Sequence, residues 1–369
     1  MHPLPPSPGD VLPQTRGRAT IADVARHAGV SKATVSRFLN RRDDLLTRDI
    51  AARVEQAIAE LAYKPSAMAQ GLKHGRTRLV GLVVADITNP FSIAVLRGAE
   101  KACQEAGYLL VLFNLGNEAG REQAAMQALS AYQVDGLILN RVDASVQSWR
   151  DDALHGKPVV LVDRRHPGLN ADFISIDNRQ AVSLGLDHLR QAGYTDFLLV
   201  TEPYGHVSSR AERASAYADV LADVPAARRQ VFESTADHEG PQALADALRA
   251  LRRRAGARPA AILSGNAVTT LRVAAAMAQL GWSFGRELGF VGFDETEWAA
   301  LIGTGLTTIA QPTDDLGSRA ARCLIERLGG LQSPARHIEL PGSLIVRGSS
   351  QPLALSLIHI SEPTRQEAI

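Results

Sequence analysis

Between Leu79 and Glu295, nine short apolar runs alternate with stretches of helical periodicity. LVGLVVAD, YLLVLFN, DGLILN and PVVLVD make a first series; FISID, FLLVTEP, VFES, AAILSGN and LGFVGFDE make a second. Helical spacing falls near 91–106, 119–131 and 144–155, and again between the runs of the second series. Short, continuously apolar runs fit strands buried on both faces of a parallel sheet, because parallel neighbours need a crossover and a helix supplies it. Two such series predict an α/β core of two lobes of similar design. A chain of 369 residues with 45% hydrophobic content is long enough for that core and a smaller unit beside it.

The smaller unit lies ahead of the core. IADVARHAGVSKATVSRFLN, residues 21–40, reads as two short helices joined by a tight turn. Ala22, Val24, Ala25 and Ala28 line one side of the first helix, and Gly29 follows where a helix end needs a residue tolerant of positive φ. Ser31 is a good N-cap for the second helix, whose Val35 and Leu39 sit one turn apart on its buried face. Its outer face carries Lys32, Thr34, Ser36 and Arg37, donors suited to a DNA major groove. After a polar loop, Thr47 caps a third helix with Ile50, Val54, Ala57, Ile58 and Leu61 at helical spacing, and Lys64–Pro65 ends it. Charge follows the same division. Residues 1–78 hold 13 Lys and Arg against 7 Asp and Glu; residues 79–369 hold 27 against 32. A basic module on a mildly acidic body points to a polyanion partner for the module. SAMAQGLKHGRTR then forms a short basic stretch with Ser66 as a cap. It is expected to become helical on DNA, with Leu72 wedged into a minor-groove step and Lys73, Arg76 and Arg78 on phosphates.

TIADVARHAGVSKATVSRFLN, followed by YKPSAMAQGLKHGRTRLVGLVVADITNP, resembles the head, hinge and first core strand of LacI-type bacterial transcription regulators. The resemblance spans roughly residues 19–350. It implies a small all-α helix-turn-helix head and a two-lobed core of doubly wound parallel sheets, like that of periplasmic sugar-binding proteins. The chain then crosses between the lobes several times and a ligand binds in the cleft. The implied organisation is a disordered leader over 1–18, a head over 19–65, a hinge over 66–78 and an effector-binding and dimerisation core over 79–350. The family's DNA-contacting positions fall on Thr20, Ser31, Lys32, Ala33, Thr34, Ser36, Arg37 and Asn40 in the head, and on Ser66, Leu72 and Lys73 in the hinge. Of these, Lys32, Ala33 and Arg37 match base-reading positions. The implied partner is a near-palindromic double-stranded operator bound by a homodimer, with no cofactor.

Ligands of such sheets bind at the carboxyl ends of strands. There the sequence places Asn89, Phe91 and Ser92, Asp163 and Arg164, Ser209, Arg210 and Arg213, Asn266, Asp294 and Gln311. The resemblance makes Asp294 and Arg213 the most regular ligand contacts. Asp163 and Arg164 fit a structural ion pair as well as a ligand contact, and Phe91 fits core packing as well. VTEPYGHVSSRAERASAY, with NPFSIAV, VLVDRR, IDNRQAV and IAQPTDDLG, resembles the regulators of this family that answer to keto sugar acids such as 2-ketogluconate. Arg210 or Arg213 then grips the carboxylate in a two-toothed fork; three apart on a helix, both face the same way. A neutral sugar or a nucleobase remains open, as does the sign of the ligand's effect on DNA binding.

Two rival classes fare worse. A sugar-binding receptor leaves the basic head unexplained and lacks an export signal, so the cytoplasm is the expected location. An enzyme finds no GxSxG, GxxxxGK[ST] or HExxH motif; Gly303-Thr304-Gly305 lacks the third glycine of a dinucleotide site, and His188 and His206 have no evident nucleophile partner. Cys103 and Cys323 fall in separate predicted helices without metal-ligand spacing and read as core residues. No stretch is long enough to span a membrane. Residues from about Leu355, including SLIHISEPTR, read as a translated sequencing adapter and are set aside from the fold.

Overall fold

The computed structural model describes residues 19–40, 46–64, 76–118, 120–140, 156–166, 169–205 and 207–351, with the backbone alone for 122, 123 and 126. The leader, Ser66, Leu72 and Lys73 of the hinge, the helix expected over 144–155, His206 and the tail from 355 lie outside the described residues. The chain divides into a unit ending at Thr77 and one beginning at Arg78.

Among the described residues, the first unit has three helices: α1 (Ile21–Ala28), α2 (Lys32–Leu39) and α3 (Arg48–Glu60). Each begins at a side-chain cap. Thr20 and Asp23 form a reciprocal capping box on α1, Ser31 accepts from the Thr34 N–H, and Thr47 accepts from the Ile50 N–H. Gly29 ends α1 in the left-handed region at φ 65°. Val24, Ala25, Ala28, Val35, Val54 and Ala57 fill the small interior. Arg53 of α3 ties the end of α1, its guanidinium donating to the Ala28 carbonyl at 2.6 and 3.1 Å and to the Gly29 carbonyl at 3.1 Å.

The second unit is built from two parallel sheets. In chain order its elements are β1 (Leu79–Val84), α4 (Pro90–Glu105), β2 (Leu109–Asn114), α5 (Arg121–Ala131), β3 (Gly136–Asn140), β4 (Val159–Val162) and β5 (Asp172–Ile176). Then come α6 (Asn178–Gln191), β6 (Asp196–Thr201), α7 (Ser208–Val220), β7 (Arg229–Glu233), α8 (Gly240–Ala255), β8 (Ala260–Ser264), α9 (Ala267–Gln279) and β9 (Gly289–Phe293). The chain closes with β10 (Thr307–Ala310), α10 (Thr313–Leu328), β11 (His337–Leu340) and β12 (Ser343–Ile345). The first sheet runs β11-β5-β4-β3-β1-β2 and the second β12-β10-β9-β8-β6-β7. All pairings are parallel except β10 with β12. The α/β class and the two-lobed design therefore hold. One grouping does not. FISID was placed with the second series, but as β5 it pairs with β4 in the first sheet. The chain first changes lobe after it, where Asp177 caps α6. It changes again between β10 and α10 and between β11 and β12. Runs of apolar residues report burial, and both lobes bury their strands alike, so the series carried no mark of where the crossing falls.

The return of α10 to the first lobe is sealed by glycine. A Cβ on Gly98 of α4 would lie 2.0 Å from the Asp314 carbonyl oxygen, and one on Gly317 of α10 would lie 2.0 Å from that of Val95. The two helix backbones therefore touch. Cys103 and Cys323, one on each helix, are buried in the same apolar cluster, and burial pushes the Cys103 thiol up to about 11. At the start of β5, the fully buried Asp172 accepts from Arg327 at 2.7 and 3.0 Å and from Arg336 at 2.9 Å. Burial works to raise this carboxyl, but the arginine hydrogen bonds outweigh it and hold it well below the usual carboxylate range.

Gly98→Ala should lower the thermal midpoint by the equivalent of roughly 1–3 kcal/mol or more, since backbone must move to admit the methyl; calorimetry reads it. Because the folded Asp172 pKa is depressed, its stabilisation is present above the unfolded value near 3.9 and is lost as pH falls through the acid range below it. Wild type should exceed Asp172→Asn in midpoint at neutral pH, with the gap narrowing below about pH 4.

Candidate DNA-reading face and ligand cleft

On α2, Lys32, Ala33 and Arg37 are exposed, while Thr34 and Ser36 are half-buried. Ala33, Arg37 and Asn40 stand at i, i+4 and i+7, one stripe of the helix surface. Several neighbours already have structural work. Thr20 serves the capping box, and the Ser31 and Thr34 hydroxyls are 2.9 Å apart. Asn40 Nδ2 donates to the Ser36 carbonyl at 2.6 Å, closing the end of α2. The stripe thus combines rigid small residues with one long exposed guanidinium, chemistry able to fork onto a guanine edge.

In the core, Asp163 and Asp294 occupy matching places in the two lobes. Each follows a central strand, β4 or β9, in the left-handed region, at φ 66° and 72°. Each donates its N–H to the neighbouring strand, to Ile174 and Ile309 respectively. Such a conformation costs roughly 1–3 kcal/mol for most residues and somewhat less for Asp. It turns both buried carboxylates toward the cleft. The first lobe is held to α7 of the second at this level. Ser209 Oγ donates to Asp163 at 3.1 Å, the Arg165 N–H donates to Ser208 at 2.9 Å, and Arg165 Nε donates to Glu212 at 3.2 Å. Arg213, only 6% exposed, lies over the Phe293 ring at 4.2 Å and donates to Asn178 at 2.8 Å and the Gly265 carbonyl at 2.6 Å. It reaches Gln311 at 3.5 Å and Asp163 at 3.9 Å. Gln311 in turn donates to one Asp294 oxygen at 2.6 Å, and the Ala267 N–H donates to the other at 2.9 Å. Burial pushes the Asp294 carboxyl up, against the opposing charge of Arg213.

Above this layer lies a cavity of about 490 Å³. The first lobe lines it with Asp86, Thr88, Asn89, Ser92, Asn117 and Arg164; the second with Glu202, Pro203, Val207, Arg210, Ser234 and Arg272. Asn89 also caps α4, accepting from the Phe91 N–H at 3.1 Å. Three guanidinium groups face two carboxylates, and Asp86 is already taken by Thr88 and Asn117. Burial lowers the pKa of both Arg164 and Arg210, the mark of cations short of solvent.

The model for bacterial regulatory proteins of the lacI family matches residues 20–66, and the periplasmic binding protein-like domain matches residues 186–350. The HTH-type transcriptional regulator PtxS of Pseudomonas aeruginosa is 44% identical over 93% of this chain and 99% of its own. KdgR of Bacillus subtilis, also an HTH-type transcriptional regulator, is 40% identical over 91% and 99%. The chain belongs to the LacI family. Among solved structures, the lac repressor dimer bound to operator and the anti-inducer ONPF aligns with a TM-score of 0.76 at 26% identity, covering 90% of this chain and 99% of that one. This LacI-family chain is a DNA-binding transcriptional regulator.

Of the cleft residues expected in this LacI-family core, Asn89, Ser92, Arg164 and Arg210 line the cavity. Asp163, Ser209, Arg213, Asn266, Asp294 and Gln311 form the bonded layer next to it. Phe91 packs into the first-lobe core with Val95 and Leu316. Thus Arg210 and Arg213 divide the roles left open between them, one facing the cavity and the other locked into the layer. Glu202 and Arg272 were not expected as site residues. Glu202 does follow a strand, as the strand-end rule asks; Arg272 sits beyond the first turn of α9, one turn after Val268, which also lines the cavity. His188 is bonded to Ser350 at 2.7 Å. Among the described residues, no helix is long and apolar enough to cross a membrane, and no group of His, Cys, Asp and Glu is placed to hold a metal ion.

Arg213→Ala should destabilise the core by about 3–5 kcal/mol, since it strands buried carboxylates. Arg210→Ala, at a wetter wall, should cost clearly less; thermal melts of the two variants compare them directly.

Proposed function

We propose that this regulator binds a near-palindromic operator as a homodimer, and that an acidic, hydroxylated ligand of the 2-ketogluconate class controls it from the interlobe cavity. The head over 19–65 and the hinge over 66–78 meet DNA; the core over 79–350 binds ligand and pairs the subunits. Arg37 forks onto a guanine, Lys32 joins it at the base edges, and Ala33 touches a thymine methyl. Thr20, Ser31, Thr34, Ser36 and Asn40 sit on phosphates or fix the helix that does, and Ser66, Leu72 and Lys73 complete the contact from the hinge. The observation that carries the ligand class is the group of Arg164, Arg210 and Arg272 on the cavity wall. Three cations lining one cavity, Arg164 from the first lobe and Arg210 and Arg272 from the second, favour a carboxylate, while Asn89, Ser92 and Thr88 offer the hydroxyl partners a sugar needs.

Control follows from the contacts between the lobes. Ser209 with Asp163, and Ser208 and Glu212 with Arg165, favour one lobe arrangement. A ligand that touches both lobes shifts that arrangement by its differential affinity, and the spacing of two hinges on the operator changes with it. Release of DNA by ligand is the proposed sign, and the cytoplasm the proposed location.

Fluorescence anisotropy on DNA from the gene's own upstream region, at fixed salt, tests this. Tight binding should weaken steeply with rising salt and be released by 2-ketogluconate. Arg37→Ala should lose roughly 1–3 kcal/mol of discrimination at one base position in each half-site. Tight binding indifferent to sugar acids would discard the ligand class, and absence of sequence preference in folded protein would discard the operator.

A further inference from the structure

Glu202 leaves β6 at the cavity wall, and the lining arginines gather around its carboxylate. Oε2 accepts from Arg210 Nη2 at 2.5 Å and from Asn266 Nδ2 at 2.6 Å. Oε1 has a looser hold, with Arg272 Nη2 at 4.0 Å, and Arg164 adds its field from the other lobe. The side chain is 15% exposed and borders the cavity. Asp86, the other lining carboxylate, is bonded to Thr88 and Asn117. Among the described lining residues, Glu202 is therefore the anion that answers Arg210 and Arg272, while Arg164 pairs with Asp163 at 3.6 Å in the layer beneath.

That geometry is what a ligand carboxylate would adopt: a charge-assisted hydrogen bond from one arginine, an amide donor beside it and a second cation close by. We propose that Glu202 is an internal counter-anion seated in the carboxylate subsite, which an acidic ligand displaces from Arg210 and Asn266, so that Glu202 sets how strongly the cavity discriminates by ligand charge. The inference rests on the acidic-ligand reading given above.

Two features make displacement feasible. Glu202 lies in the segment between β6 and α7, outside regular structure, and its side chain keeps some access to the cavity. The donors also keep their places without it. Arg210 Nη1 donates to the Pro203 carbonyl at 3.0 Å and Arg272 Nη1 to the Ser234 carbonyl at 2.8 Å. Asn266 remains fixed as the cap of α9. The subsite is thus preorganised by backbone acceptors, and the carboxylate within it is exchangeable. A neutral sugar bound among the hydroxyl partners would leave the pair of Glu202 and Arg210 intact.

Glu202→Gln keeps the shape and an accepting oxygen but removes the charge. Calorimetric titration of the full-length protein should show 2-ketogluconate binding about tenfold tighter to the variant than to wild type, as expected for relief of one close charge competition. Neutral ribose should change by less than about twofold. Looser binding of 2-ketogluconate to the variant would make Glu202 a direct acceptor of ligand hydroxyls and overturn the proposal, as would equal shifts for both sugars. Glu202→Ala supplies a readout independent of the effector: added formate should raise its thermal midpoint and leave that of wild type in place. If no sugar acid binds either protein yet formate rescues Glu202→Ala, the ligand class fails and the counter-anion stands. If formate gives no rescue, the counter-anion fails.

Discussion

The guanidinium of Arg213 is the point on which the core's organisation depends. Two carboxylates turned inward by left-handed strand ends cannot both be buried without a cation nearby. Arg213 serves both, from a helix of the second lobe, within 3.9 Å of Asp163 in the first, where Arg164 adds a second cation at 3.6 Å. Its other donors go to Asn178, the Gly265 carbonyl and Gln311, and its face lies on Phe293. Arginine fits here because a planar fork can serve several acceptors and still stack; lysine could not do both. The same residue thus satisfies the layer beneath the cavity and joins the lobes across it.

The head solves a different problem. Three helices with six buried core residues give a unit of marginal stability. Its helices are instead fixed at their ends, by the caps of Thr20, Ser31 and Thr47 and by Arg53 on the last carbonyls of α1. This leaves α2 rigid while its outer stripe stays free of structural duty at Lys32, Ala33 and Arg37. Gly29 is part of the same economy: its positive φ ends α1, and an added Cβ would also lie 2.8 Å from Arg53 Nη2.

How much could be read from the chain follows from the range of each interaction. Caps, the Gly29 turn and the buried stripes of α1 and α3 are set within a few residues, and each was legible. Strand ends were legible too, so Asn89 and Arg164 were placed at the cavity, together with Ser92 and Arg210 in the first turns of the helices that follow β1 and β6. What failed was non-local. The assignment of FISID to the second series failed because sheet membership is decided by partners far along the chain, His337 to Leu340 on one side of β5 and β4 on the other. Strands β10 and β11, short and partly polar, gave no periodic signal. Which of Arg210 and Arg213 faces the cavity was not decidable from a three-residue spacing, since both leave α7 in similar directions. Only the acceptors at the ends of their side chains, Glu202 for one and Gly265 for the other, separate them.

Charge placement also suggests how binding and lobe arrangement are coupled. Arg164 belongs to the first lobe and Arg210 to the second, yet the field of Arg210 acts on Arg164 across the cavity. Both are short of solvent, so their repulsion is screened less than it would be on the surface. That repulsion opposes bringing the lobes together here and is offset by Asp163 beside Arg164 and Glu202 on Arg210, while the contacts of Ser209 with Asp163 and of Arg165 with Glu212 favour the approach. On the proposed displacement of Glu202, a ligand anion held between Arg164 and Arg210 takes over that offset in whichever arrangement places them closer. A neutral ligand of the same shape makes its hydrogen bonds without that gain. On the proposed acidic-ligand reading, the differential affinity that a switch requires then comes from the ligand's charge acting between the lobes, while its hydroxyl contacts secure residence in the cleft.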